Sequence, residues 1–227
     1  MFEGEWWVAC SQETFRAVSR RPDFRQIVAL GRILNGLRFV RGAAVRFAGE
    51  NTPEAMRQRM NSTFFMGSLI FEGMILVRRM SQHFRNNQAF EIWMKPLLRD
   101  RELDAFLKAR LKPLRNLAVF HAEDKHLREQ LERITNRTVV FQSARGTTVG
   151  ASNYELADIT AMQTVVGSVR STDEFQEGVM AVTNKTIDYA DKFEAAGDNL
   201  IALWLRDAGF DRRAAVPGEG FWPADPT

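Results

Sequence analysis

At 227 residues, with 45% hydrophobic and 26% charged side chains, the chain has the composition of an ordinary globular protein long enough to bury a full core. Its formal charge of +3 is too small to argue nucleic-acid binding from bulk charge, so any basic surface must come from clustering. A lone cysteine, Cys10, excludes an intramolecular disulfide and a multi-cysteine metal site, which suits a reducing cytoplasm.

The first residues have no basic segment leading into an apolar run, so no secretory signal is expected. Trp6 and Trp7 suggest a strap that packs its indoles on the body. Ser11 can cap a short helix, with Glu13 near its start. Pro22-Asp23 opens a longer one, in which Phe24, Ile27, Val28, Leu30, Leu34 and Leu37 keep the three-and-four spacing of a buried face to about Phe39. Gly42 and Gly49 weaken the pattern beyond that point.

Asn51-Thr52-Pro53-Glu54 is a strong helix start, with Thr52 as cap and Pro53 first in the helix, and the helix is expected to run to about Phe84. Its middle, Phe64 to Val77, is apolar nearly all round, which marks a helix enclosed by others. At about fourteen residues this run is too short to span a bilayer, so a soluble, cytoplasmic protein with no membrane partner is expected. Gly67 and Gly73 would allow a neighbour close approach. Glu72 has two readings: a carboxylate snorkelling to an arginine, the commoner case, or a site acid facing a later helix. Arg78, Arg79, His83 and Arg85 follow as a basic run, either solvated or gripping phosphates.

Ala89 to Leu98 is a shorter segment interrupted by Pro96, and Glu102 to Arg110 an amphipathic helix. Pro113 suits the first position of a new helix because its missing N–H would be unpaired there, so Arg115 and Asn116 are expected in a first turn that favours anions. Arg115, Asn116 and His121 supply a permanent cation, an amide and a group titrating near neutrality, a combination suited to a phosphodiester. A six-residue step separates Arg115 from His121 by about 120° on a straight helix, so a site completed by a second copy across a twofold axis is expected. A structural pair, a half-buried histidine and a solvated arginine, is the bland alternative.

Arg115-Asn116 followed by His121 resembles the HEPN superfamily (higher eukaryotes and prokaryotes nucleotide-binding), over a core of roughly residues 23 to 135 to which a long C-terminal helix, about 172–208, is added. Members are helical domains that commonly dimerise, and many are metal-independent endoribonucleases of toxin–antitoxin, abortive-infection and CRISPR systems. The resemblance implies catalysis by Arg115, Asn116 and His121 on RNA, with no cofactor or metal. It also implies a homodimer and an antitoxin or phage-defence protein partner. Lys125, His126, Arg78 and Arg79 are the candidate substrate-binding residues, and Glu72 the possible site acid. Two alternatives stand beside it. One is a non-catalytic helical dimer that binds RNA or protein. The other is a helical-bundle metalloprotein built on the Glu123-x-x-His126 pair, for which bundle sites need a second such pair and two more glutamates.

Thr138 to Gln142 is β-rich, and Gly146 to Ala151 can return as a second short strand, so a small hairpin near 138–151 and a plain loop fit equally well. Tyr154 to Val169 suggests a short helix. Ser171-Thr-Asp-Glu174 is a capping box launching the clearest periodic run in the chain: Phe175, Val179, Val182, Thr186, Tyr189, Phe193, Ala196, Leu200 and Leu203, ending near Ala208-Gly209. Residues 210–227 look like a tail. Without internal repeat or low-complexity linker, the whole is expected to be one all-α domain: an up-and-down bundle of long antiparallel helices.

Overall fold

The computed structural model describes residues 6–46, 50, 52–114, 131–132, 143–144, 152–153, 155–167 and 171–214. Three long helices form its frame. The first helix, α1 (Gln12–Ser19), is capped by Ser11, whose hydroxyl accepts from Thr14 N–H. Pro22–Arg46 forms α2, passing Gly42 without a break, and Pro53–His83 forms α3. Thr52 caps α3 by accepting from Ala55 N–H at 3.1 Å. The last long helix spans Thr172–Asp207; Ser171 caps it, accepting from Glu174 N–H at 3.1 Å. It ends at Gly209, whose φ of +82° only glycine adopts without strain.

Between α3 and that helix lie α4 (Lys95–Arg99), α5 (Arg101–Phe106), α6 (Lys112–Leu114) and α7 (Glu155–Val166), so the Thr172–Asp207 helix is α8. Five-residue π-helical turns, Phe90–Met94 and Leu107–Leu111, lead directly into α4 and α6. Pro96 and Pro113 each follow a π turn by two residues. The turn's last bond runs from Lys95 N–H to Phe90 C=O in the first case and from Lys112 N–H to Leu107 C=O in the second. Pro96 therefore does not interrupt its segment. The wider turn absorbs the proline, whose ring would clash with the carbonyl four residues back in a regular helix.

The expected all-α bundle is the fold. Leu34 lies against Gly197, and Arg38 and Arg41 pair with Asp198 and Asp191, so α2 runs antiparallel to α8. Gly73 lies against Phe193, and Thr63 bonds Thr183, so α3 runs parallel to α8. The core between them holds Leu30, Leu34 and Leu37 of α2, Met66, Ile70, Met74 and Val77 of α3, and Phe193, Leu200 and Trp204 of α8. Fully burying each such side chain contributes about 1.5–3 kcal/mol. A second cluster, Met60, Phe64, Met162, Val165 and Val179, joins α7 to the far end. The Thr63 hydroxyl donates to Arg59 C=O at 2.8 Å, so the Thr183 hydroxyl donates to Thr63 at 2.8 Å, and this buried pair fixes the register of α3 on α8.

Two departures from the expected fold have physical causes. Over Glu54–His83, α3 is by length and composition apolar enough to cross a membrane, although the apolar run inside it looked too short; 61% of its most apolar window is buried by neighbouring helices, as a core helix requires. The expected tail begins as a strand, β4 (Asp211–Ala214), paired antiparallel with β1 (Trp6–Ala9) in the register Trp6 to Ala214. The small hairpin consists of β2 (Ser143–Ala144) and β3 (Ser152–Asn153), adjoining the two expected strands.

Candidate functional site

Arg115, Asn116, His121, Lys125, His126 and Glu123 lie outside the described residues. The approach to them is described, and it differs from expectation. Pro113 is not the first residue of a new helix. Asp100 caps α5, accepting from Leu103 N–H at 2.9 Å, and the helical chain continues through the π turn into Lys112–Leu114. Pro113 therefore sits within a continuous helical run, and among the described residues Lys112–Leu114 offers no free helix N-terminus for an anion.

Of the expected substrate-binding residues, Arg78 is exposed, and its Nη2 lies 3.0 Å from Asp104 Oδ1 on α5. Lys108 Nζ holds the other oxygen at 2.6 Å, and the Lys108 hydrogen bond, with charge help from Arg78, keeps the Asp104 carboxyl below its ordinary range. Arg78 is thus a tie between α3 and α5. Arg79 is exposed and makes no ion pair among the described residues. Glu72 is half-buried. Steps of seven and eleven residues return to within about 20° on a helix, so Glu72, Arg79 and His83 share one stripe of α3, while Arg78 is turned away.

That stripe leads to a cleft of about 600 Å³ where the end of α3 meets the start of α2 and the end of α8. Arg21, Asp23, His83, Arg85, Asn87 and Trp204 are among its lining residues. Its floor is fixed by Asp23, which accepts from Arg21 Nε at 3.0 Å and from Trp204 Nε1 at 3.1 Å. Burial pushes the Asp23 carboxyl up, but the bonds from Arg21 and Trp204 outweigh it and hold the group below its ordinary range. The Arg21 guanidinium lies 5.2 Å over the Trp204 ring, and Phe24 stacks on the same indole at 5.6 Å.

On the remaining wall, Gln26 Nε2 lies 3.2 Å from His83 Nδ1, a hydrogen bond that holds the imidazole against α2. Asn87 Oδ1 accepts from Phe90 N–H at 2.9 Å at the start of the π turn, which leaves its NH₂ to donate. Arg85 makes no ion pair among the described residues, and Asp207 is held by Arg206 at 3.2 Å. The sequence shows His83 and Arg85 as part of a basic run. It has no signal for Arg21, Asp23 and Trp204, because Asp23 and Trp204 are 181 positions apart and meet only through helix packing.

Among the described residues, no group of three or more His, Cys, Asp or Glu side chains gathers in a metal-binding arrangement. No family model, curated protein or solved structure matches the chain.

Proposed function

We propose that this chain is a metal-independent endoribonuclease of the HEPN type, serving as a toxin or in phage defence and acting as a homodimer. One observation carries the reading: Arg115-Asn116 and His121 occur at the motif spacing in a chain whose long helices form an all-α bundle around a buried core. In this mechanism His121 takes the proton from a ribose 2′-hydroxyl, and the 2′-oxygen attacks the adjacent phosphorus. Arg115 holds the phosphate and stabilises the charge developing on it, Asn116 orients the pair, and the 5′-oxygen leaves protonated. The products are a 2′,3′-cyclic phosphate and a 5′-hydroxyl, and DNA, which lacks the attacking group, is not cut. On the substrate side Arg79 is the better phosphate contact of the α3 pair, since Asp104 already occupies Arg78. Lys125 and His126 complete the proposed substrate contacts, and Glu72, on the Arg79 stripe, is the proposed site acid.

The test is cleavage of a labelled RNA by the purified chain in excess chelator, with end-group analysis, beside His121→Ala and Arg115→Ala. Wild type yields cyclic ends and both variants are inactive while remaining folded. Equal cleavage by His121→Ala ends the proposal. A second reading, a non-catalytic binder, draws on the loss of the expected helix terminus before Arg115. It predicts RNA affinity that falls steeply with salt, or affinity for a protein partner, without turnover in either case.

A further inference from the structure

We propose that the cleft between the ends of α3 and α8 and the start of α2 is a binding site for a small, hydroxyl-rich, phosphate-bearing molecule. The argument begins with charge. Arg21 and Asp23 neutralise each other through two hydrogen bonds, at 3.0 Å and 2.5 Å. Asp207 is held by Arg206, which leaves the guanidinium of Arg85 as a cation on the cleft wall with no ion pair among the described residues. A guanidinium offers five N–H donors in a planar fork that matches a phosphate or carboxylate edge, so the complementary ligand group is an oxyanion.

Hydrogen bonding narrows the class. Gln26 hydrogen-bonds His83 Nδ1 and so holds the imidazole on the wall, and Asn87 spends its carbonyl on the Phe90 N–H, which leaves its NH₂ to face a ligand as donor. A phosphoryl group has more acceptor positions than a carboxylate and is the better match to Arg85, His83 and Asn87 together. Gln82 and Asn86, also on the wall, carry amides that exchange hydrogen bonds with hydroxyl groups.

Shape excludes a stacked base. The cleft has two large aromatic residues in its lining, Trp204 and Phe84, and both are buried: Trp204 is 3% exposed, with Phe24 stacked on it and Arg21 lying over it, and Phe84 is 2% exposed and packs against Phe90 at 5.7 Å. With no free ring for a purine or pyrimidine, the organic part is polar, as in a sugar phosphate. A volume of about 600 Å³ is within the usual range for small-molecule pockets and ample for such a ligand.

The experiment is calorimetric titration of the full chain with ribose 5-phosphate and, separately, with inorganic phosphate. It is repeated on Arg85→Gln and on Arg99→Gln, an exposed cation outside the cleft lining. Wild type is expected to bind ribose 5-phosphate saturably and more tightly than inorganic phosphate. Arg85→Gln should weaken the sugar phosphate by about tenfold or more, the usual scale for a lost charge-assisted bond, and Arg99→Gln by less than about twofold. Arg85 is exposed, so its variant keeps the fold, which an unchanged circular dichroism melt verifies. The proposal is overturned if the wild type shows no saturation, if Arg85→Gln binds as the wild type does, or if only a 5′-phosphorylated RNA oligonucleotide binds through Arg85. None of these outcomes bears on cleavage by His121, so the two proposals fail independently.

Discussion

Replacing Gly73 by alanine tests the contact on which the α3–α8 packing rests. A Cβ built at Gly73 would lie 2.5 Å from Cζ of Phe193 and about as close as van der Waals contact forbids to the rest of that ring edge. Phe193 is 1% exposed, so its ring has no open side to swing toward. Overpacking of this kind typically costs about 1–3 kcal/mol. Against it stands the helical preference of alanine over glycine, about 1 kcal/mol in an interior position. Gly42 on α2 is the control: it is helical as well, and a Cβ there meets nothing within 4 Å. Both substitutions gain the same propensity, so the difference between them isolates the clash. At roughly 2–4 °C per kcal/mol for a chain of this size, Gly42→Ala should raise Tm by about 2–4 °C, while Gly73→Ala, with a net loss of about 0–2 kcal/mol, should leave it unchanged or lower it by up to about 8 °C. Thermal melts followed by circular dichroism read both. Pairing Gly73→Ala with Phe193→Leu should recover part of the loss, a coupling that a double-mutant cycle measures. Equal melting temperatures for the two glycine variants would refute the close approach.

Glu194 is 6% exposed, and burial pushes its carboxyl above the ordinary range against the lowering pull of Arg41 and Arg38, at 3.7 Å and 3.5 Å. A raised folded-state value means the folded chain holds this proton more tightly than the unfolded one. Stability is therefore fullest below the ordinary carboxylate value and declines as pH rises through the folded one. The stability of wild type relative to Glu194→Gln should thus fall as pH is raised from about 4 to 7; a difference that grows instead would show the ion pairs in control. Trp204→Phe keeps an aromatic ring against Phe24 but removes the Nε1 donor to Asp23. It should cost about 1–3 kcal/mol in urea unfolding, and an unchanged midpoint would count against that bond. Pro113→Ala separates a helix interior from a helix start. An interior position predicts a gain of about 1–2 kcal/mol once the restored N–H is set against the lost rigidity of the unfolded chain, whereas a first position predicts no gain.

The long helices were legible because their signals are local. Ser171 and Glu174, or Thr52 with Pro53, announce a terminus within four residues, and the caps form as the pattern requires. The stripe from Val179 through Phe193 to Leu200 repeats often enough that no other secondary structure would bury it. Gly42 misled because a glycine costs a helix about 1 kcal/mol whatever surrounds it, and α2 recovers that amount by packing Leu30, Leu34 and Leu37. The two prolines misled for one shared reason. A missing N–H and a bulky ring mark a break in a regular helix, but a π turn two residues earlier shifts the bonding from four residues back to five and lets the chain continue. Nothing in Phe90–Met94 or Leu107–Leu111 advertises that turn, since it is a compromise reached between the core contacts of Phe90, Met94, Leu107 and Leu111 and the proline that follows.

Sites divide along the same line between local and distant signals. The Arg115-Asn116-His121 motif is visible because it is contiguous, and contiguity is also its weakness, since on a straight helix a six-residue step would set Arg115 and His121 about 120° apart. The cleft has the reverse character. Asp23 looks like an ordinary first-turn acid and Trp204 like one more core aromatic, and each becomes informative only when α2 and α8 run antiparallel and bring them within 3.1 Å. Once that bond fixes Asp23, Arg21 is drawn over the indole, the aromatic surface is closed, and the polar groups left at the end of α3 are His83, Arg85 and Asn87. The preference for a polar oxyanion over a stacked base is thus set by a packing contact at the far end of the chain. The two proposed phosphate contacts thus rest on different kinds of signal, one carried by seven consecutive residues, Arg115 to His121, and one by a cleft assembled from three helices.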